Sequence, residues 1–211
     1  MKTELRGKEL HLFLTGIVDE AVCTGLTETI IKANNGGVLF ESDMFREKPV
    51  LNHSIERIVL HIASPGGEVL AGMLLTNTIL TSKIPVDCII SAAYSMGFII
   101  AVACRHRLAY PMATMLHHDT STMAMGNLQN IKETIEVAEK ERNMMDKMVK
   151  ERTKISQDEL DIINKQKLDK TYFVDEALEK GIIHGIVGHV NHECDCNSEC
   201  EECLCKVGGT D

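Results

Sequence analysis

The chain has few aromatic residues, no tryptophan and no long apolar run. Phe, Tyr and Trp together make up 4% of its 211 residues. No segment approaches the eighteen consecutive apolar residues of a membrane-spanning helix, so no membrane contact is expected. The charged residues 1–8 lack the apolar stretch and cleavage site of a signal peptide, and we therefore expect a cytoplasmic protein.

An excess of basic residues is also missing. The formal net charge is −9, and Lys and Arg are interleaved with acids along the sequence. A nucleic-acid partner is therefore disfavoured, because phosphates would be repelled in the absence of a dense basic patch. With 44% apolar and 25% charged residues, the composition is that of an ordinary globular domain.

The eight cysteines divide into two groups. Three stand in apolar surroundings and are predicted to be core residues. The other five crowd into an acidic tail: Cys194, Cys196, Cys200, Cys203 and Cys205. They supply enough thiolates for a tetrahedral Zn site, although their spacing matches no standard pattern, and a disordered tail is the alternative. We divide the chain into a domain of residues 1–190 and a tail of residues 191–211.

Apolar runs alternate with helical patterns along the domain. Residues 58–63 and 86–91 are typical of buried strands, and each run precedes a segment with helical spacing. Strands separated by helices predict an α/β fold with a largely parallel sheet. Residues 129–152 predict a long amphipathic helix. Residues 36–54 are polar and irregular, and are interpreted as a surface insertion.

Ser95 lies where a predicted strand passes into a predicted helix, two positions before Gly97. Such a turn exposes the hydroxyl, while the helix N-terminus offers free N–H groups. The pattern fits a nucleophile, or a side chain that caps the helix. The loop Ser-Pro-Gly-Gly at residues 64–67 ends the preceding strand and can face the same crevice. A plain Pro-Gly turn is the alternative for this loop.

Longer motifs surround these residues. Residues 64–73 read Ser-Pro-Gly-Gly-x-Val-x-Ala-Gly-Met, residues 92–97 read Ala-Ala-x-Ser-Met-Gly, and residues 110–118 read Tyr-Pro-x-Ala-Thr-Met-Leu-His-His. In this order they resemble the proteolytic subunit of the Clp protease, over about residues 10–190. The resemblance implies a crotonase-like ββα spiral with a protruding long handle helix, and a serine peptidase that needs no cofactor for catalysis.

The resemblance also assigns roles to residues. It places the nucleophile on Ser95 and the oxyanion hole on the N–H groups of Gly67 and Met96. An ungapped match puts the base on His118. The acid falls on Asp169, by its offset from the Glu-Ala helix that follows. The neighbouring alternatives are His117 for the base, and Asp161 and Asp175 for the acid.

The family assembles into two stacked rings around a chamber, to which a hexameric ATPase feeds unfolded chains. By resemblance we expect a homo-oligomeric ring, an AAA+ ATPase partner and peptide substrates. Residues 120–130 correspond to the handle, which adds substrate as a strand and pairs the rings.

Three alternatives share parts of the pattern. A crotonase-type acyl-CoA enzyme has the same fold but needs no Ser-His-Asp set. A Ser-Lys signal peptide peptidase needs a lysine base and a membrane segment. A non-catalytic assembly subunit would carry the residues without a working geometry.

Overall fold

The computed structural model describes residues 3–36, 39–42, 47–50 and 55–188. The five tail cysteines lie outside these residues, so their Zn site stays a prediction. The elements in chain order are β1 (Thr3–Arg6), β2 (Glu9–Val18), α1 (Glu20–Asn34), β3 (Leu39–Ser42), β4 (Glu47–Val50), β5 (Arg57–Gly67), α2 (Val69–Thr81), β6 (Val86–Tyr94), α3 (Met96–Ala103), β7 (Arg107–His117), α4 (Leu128–Arg152), α5 (Gln157–Gln166), β8 (Lys170–Phe173), α6 (Val174–Glu179) and β9 (Gly185–Ile186).

The described strands form a mixed sheet with a parallel centre. Its order is β4-β3-β1-β2-β5-β6-β7-β8, and β9 pairs with β7. Strands β2, β5, β6 and β7 run parallel to one another, whereas β1, β3, β4 and β8 pair antiparallel with their neighbours. The predicted α/β class with a largely parallel sheet is confirmed. The carboxyl ends of β5 and β6 therefore share one edge, where the Gly-Gly loop and Ser95 lie.

Helix α3 is the most deeply buried element of the fold. All eight of its residues are buried, as expected for a helix that is apolar on every side. It contacts β5, β6, β7, α2 and α4. Because the helix is enclosed on all sides, its N-terminus and the residue that precedes it are held in a fixed place.

Helix α4 is the predicted long helix, within one residue of the expected start. Its buried residues, Asp146 and Val149, both belong to its C-terminal part. The N-terminal half contributes none, so this half projects from the sheet in the manner of the handle helix implied by the resemblance. Within the described ranges, every helix falls short of the length and apolar character that crossing a membrane requires.

Two local predictions are corrected by the structure. Residues 39–42 and 47–50 are not irregular: they form an antiparallel pair that extends the sheet. The apolar residues of 182–190 predict a strand, which in the described part, up to residue 188, is limited to the two residues of β9. The N–H groups of Ile182 and Ile183 instead bond to the carbonyl of Ala177, so these two apolar residues complete the end of α6. The interpretation of residues 36–54 as an insertion stays a prediction.

Arg107 ties the ends of three helices together from inside the protein. It is 2% exposed, and its guanidinium donates hydrogen bonds of 2.7–3.3 Å to backbone carbonyls. The five acceptors are Val102, Cys104, Arg152, Gly181 and Ile182. Carbonyls at helix C-termini lack intrahelical donors and carry partial negative charge, so this arginine satisfies the end of α3 and fixes α4 and α6 against it.

Replacing Arg107 with lysine should destabilise the fold by about 2–4 kcal/mol. An ammonium group has only three donors and no planar fork, so buried carbonyls are left unpaired. Urea unfolding followed by circular dichroism measures the change. The matched control is Arg105→Lys, at a side chain that is 45% exposed; lysine keeps the charge beside Asp87, so the loss should stay below about 1 kcal/mol. Equal losses in the two variants would contradict this role for Arg107.

Candidate active site

Ser95 stands immediately before α3 in a strained backbone conformation. Its φ of 54° and ψ of −121° lie in a region that non-glycine residues rarely occupy, at a cost of about 1–3 kcal/mol. Its N–H donates to Leu116 O at 2.9 Å, and its carbonyl accepts from the N–H of Phe98 at 3.0 Å. The hydroxyl makes no capping hydrogen bond to α3. The side chain is thus displayed on a sharp strand-to-helix turn and does not cap the helix.

The Gly-Gly loop at the end of β5 fits closely against this turn. Gly66 has φ +93°, and a Cβ there would lie 2.7 Å from Ser95 Cβ and 2.6 Å from Tyr94 O. Gly67 has φ +151°, and a Cβ there would lie 2.2 Å from Val18 O. No side chain fits at either position, so two glycines are what allow β5 to end beside Ser95.

Ser64 holds the same loop in place through two hydrogen bonds. It is 1% exposed, and its hydroxyl donates to Gly16 O at 2.6 Å and accepts from the N–H of Gly66 at 3.1 Å. The side chain therefore ties the loop to the end of β2. The place of Ser64 in the motif does not by itself indicate this role.

A cavity of about 100 Å³ opens at this edge of the sheet. Its walls come from the end of β5, the turn at Ser95, the end of β7 and the C-terminal part of α4. The lining includes Gly67, Ser95, Met96, His117, His118, Asp119, Arg142 and Asp146. The structure thus brings the predicted nucleophile, both predicted oxyanion donors and both candidate bases to one place. Asp169 is not among the lining residues.

His118 is half-buried in this cavity and has a defined tautomer. Its Nδ1 lies 2.5 Å from the carbonyl oxygen of Asp119. A carbonyl only accepts, so Nδ1 must carry the proton. The other nitrogen, Nε2, is then unprotonated in the neutral ring, which is the state that a general base requires.

Asp169 is exposed and stands immediately before β8. Strands β7 and β8 pair antiparallel, with His117 opposite Lys170. The pairing of the two strands ends there, so His118, which follows β7, and Asp169, which precedes β8, come just after the last paired residues. Asp161, an alternative for the acid, already has hydrogen-bond partners on α5: Gln157 and Lys165 donate to it and lower the pKa of its carboxyl group.

His117 is placed differently from its neighbour. It is 5% exposed, and its ring stacks on Phe98 of α3, with centroids 5.1 Å apart. Its Nε2 lies 3.5 Å from Oδ1 of Asp146 on α4. The contact of His117 with this buried carboxylate was not predicted. Nothing in the sequence indicates which strand Asp146 would meet.

A comparison with protein families decides the assignment. The model of the family described as Clp protease matches residues 49–190, well over half of the chain. The chain belongs to the Clp protease family. The matched segment contains Ser95, His118 and Asp169. The predicted family and the predicted enzyme class, a serine-type peptidase of the Clp kind, are thereby confirmed.

Two curated relatives agree with the family assignment. One from Leuconostoc citreum (strain KM20), named ATP-dependent Clp protease proteolytic subunit, is 35% identical over 136 residues, which cover 63% of this chain and 68% of the relative. Another of the same name, from Deinococcus radiodurans, is 28% identical over 137 residues, which cover 63% of this chain and 65% of the relative. The aligned part thus spans about two thirds of each relative.

Introducing a side chain at Gly66 should move Ser95 and suppress its reactivity. In Gly66→Ala, the new methyl would collide with Ser95 Cβ, and a misplacement of about 1 Å is enough to lower the rate about 100-fold. The readout is the rate at which a fluorophosphonate labels the protein.

Gly188→Ala is the matched control for this experiment. Gly188 has a similar φ of +82°, but a Cβ there would have no neighbour within 4 Å. This variant should label at the wild-type rate. Equal labelling rates for the two variants would show that the close fit of the loop does not position Ser95.

Proposed function

We propose that the protein hydrolyses peptide bonds of unfolded proteins or peptides, with Ser95 as nucleophile, His118 as base and Asp169 as the acid that orients it. The observation that carries this proposal is the strained turn at Ser95, which opens into a cavity shared with His118. Backbone strain of this kind is retained where it serves a mechanism. A capping role would leave both the strain and the shared cavity without a purpose.

In the first half of the reaction, Ser95 Oγ attacks the carbonyl carbon of the peptide bond and its proton passes to His118 Nε2. The negative charge that forms on the carbonyl oxygen is stabilised by the N–H groups of Gly67 and Met96. Each such donor contributes about 3 kcal/mol in comparable sites. When the intermediate collapses, the C–N bond breaks and His118 returns the proton to the leaving amine.

Water completes the cycle. It attacks the acyl-enzyme, gives one proton to His118 Nε2 and releases the carboxylic product, after which the proton returns to Ser95. Asp169 is proposed as the carboxylate beside His118; the Nδ1 proton itself is accepted by the carbonyl of Asp119. The place of Asp169 next to the end of the β7–β8 pairing supports this role, and a carboxylate there would stabilise the imidazolium that forms in both halves.

We further propose that the enzyme works as a homo-oligomeric ring, with an AAA+ ATPase that supplies unfolded chains. The names of both relatives include the words ATP-dependent and subunit, which supports a partner and an assembly. Exposed apolar side chains at residues 120–130 and on the adjoining N-terminal half of α4 support a contact between two rings: Met123, Met125, Leu128, Ile135 and Val137 are 44–84% exposed. A Zn site in the Cys-rich tail is a separate proposal.

Removing the nucleophile or the base should abolish peptide hydrolysis. Ser95→Ala and His118→Ala should each lower kcat about 10⁴-fold, measured with a fluorogenic peptide on assemblies of unchanged mass. His117→Gln keeps a hydrogen-bonding side chain and should retain at least about 1% of the activity. If His117→Gln loses more activity than His118→Ala, the base is His117.

The acid is tested separately with a matched pair of variants. Asp169→Asn should lower kcat by about 100-fold or more, because the imidazolium loses its counter-charge. Asp161→Asn removes an exposed carboxylate that already has partners on α5, and should leave hydrolysis unchanged. The opposite order of effects would exclude Asp169 from the triad.

A further inference from the structure

Two side-chain contacts from α4 flank His118, the proposed base. Along β7 and the loop after it, His117 contacts Asp146 with Nε2 and Oδ1 3.5 Å apart. Asp119 contacts Arg142 with Oδ1 and Nη1 3.5 Å apart. His118 lies between the two contacts and is free of both.

The inner pair is buried against the core. Asp146 is 6% and His117 5% exposed, and Oδ2 of Asp146 also accepts a hydrogen bond of 2.7 Å from Nδ2 of Asn164 on α5. The ring of His117 is stacked on Phe98, which belongs to the first turn of α3. The pair therefore links α4, α5, the end of β7 and the helix that begins at Ser95.

The outer pair is half-buried at the mouth of the cavity. The side chains of Arg142 and Asp119 are 28% and 22% exposed, and Oδ1 of Asp119 also accepts from the N–H of Thr120 at 2.8 Å. Asp119 provides, through its carbonyl, the acceptor for the Nδ1 proton of His118. Whatever fixes Asp119 therefore also fixes the tautomer and the direction of the His118 ring.

The spacing on both sides explains why one helix can hold both contacts. Residues four apart on a helix share a face, as Arg142 and Asp146 do on α4. His117 and Asp119 are two residues apart at the end of β7 and both reach α4, while His118 between them contacts neither Arg142 nor Asp146 in these two pairs. The two contacts thus join one face of α4 to the end of β7, and His118 between them lines the cavity.

We propose that Arg142 and Asp146 are positioning residues of this peptidase, which hold residues 117–119 against α4 so that His118 faces Ser95. This inference rests on the proposed function. Neither residue touches the reacting atoms. A small shift of α4 would move both contacts together, so the alignment of His118 depends on the position of this helix.

Two variants, Arg142→Met and Asp146→Asn, test the inference with two readouts. The first readout is hydrogen–deuterium exchange of the wild-type assembly and its variants over residues 116–121, which does not require activity. Exchange in this segment should rise at least about threefold in both variants. The second readout is peptide hydrolysis, in which kcat should fall about 10- to 100-fold with KM nearly unchanged, because alignment and not binding is lost.

Three comparisons separate positioning from a general loss of stability. Arg142→Lys keeps the charge and should recover most of the kcat lost in Arg142→Met. The double variant Arg142→Met with Asp119→Asn should be no worse than the poorer single variant, as expected for two groups of one contact. Glu151→Gln removes an exposed i,i+4 pair with Lys147 on the same helix and should change neither readout.

Each result either supports or overturns the inference. Unchanged exchange in Arg142→Met and Asp146→Asn overturns it, and so does a fall in kcat that Glu151→Gln reproduces. Additive losses in the double variant overturn the contact with Asp119. If the wild type hydrolyses no peptide and takes no fluorophosphonate, the proposed function fails. In that case a rise in exchange would still establish the two contacts, but their catalytic purpose would be refuted.

Discussion

The left-handed backbone at Ser95 is the constraint on which the rest of the site depends. A non-glycine residue adopts it at a cost, and three features of the fold hold it there. Helix α3 is buried along its whole length, so its start cannot move. The N–H of Ser95 is bonded to β7 at Leu116. The loop at Gly66 and Gly67 closes over the turn at a distance that leaves no room for a Cβ.

The two ends of α3 have different roles. Its C-terminal carbonyls are satisfied by Arg107 from within the core and by Arg152 from α4. Its N-terminus provides Ser95, the N–H of Met96 and the ring of Phe98 that supports His117. Helix α3, which has no polar face, is thus held in place at its two ends. The parallel strands determine the edge of the sheet at which the site opens.

Much of this arrangement follows from the sequence, and the remainder depends on contacts between distant elements. The motifs around Ser95 and Gly67 have a local meaning, because strand, turn and helix signals coincide within a few residues. Parallel topology then brings both to one edge. By contrast, the contact of His117 with Asp146 joins residues 29 positions apart, and helical spacing alone does not reveal the strand that α4 meets. Strand β8 was also missed, since four residues with little apolar alternation carry a weak signal.

The most direct test of the account is the chemistry of Ser95 itself. The assembled protein is treated with a fluorophosphonate, and the modified residue is located by peptide mass spectrometry. The account predicts a single covalent adduct on Ser95, formed far more slowly in His118→Ala and absent from Ser95→Ala. A protein that takes no adduct, or that takes the same adduct when Ser95 is replaced, would contradict it.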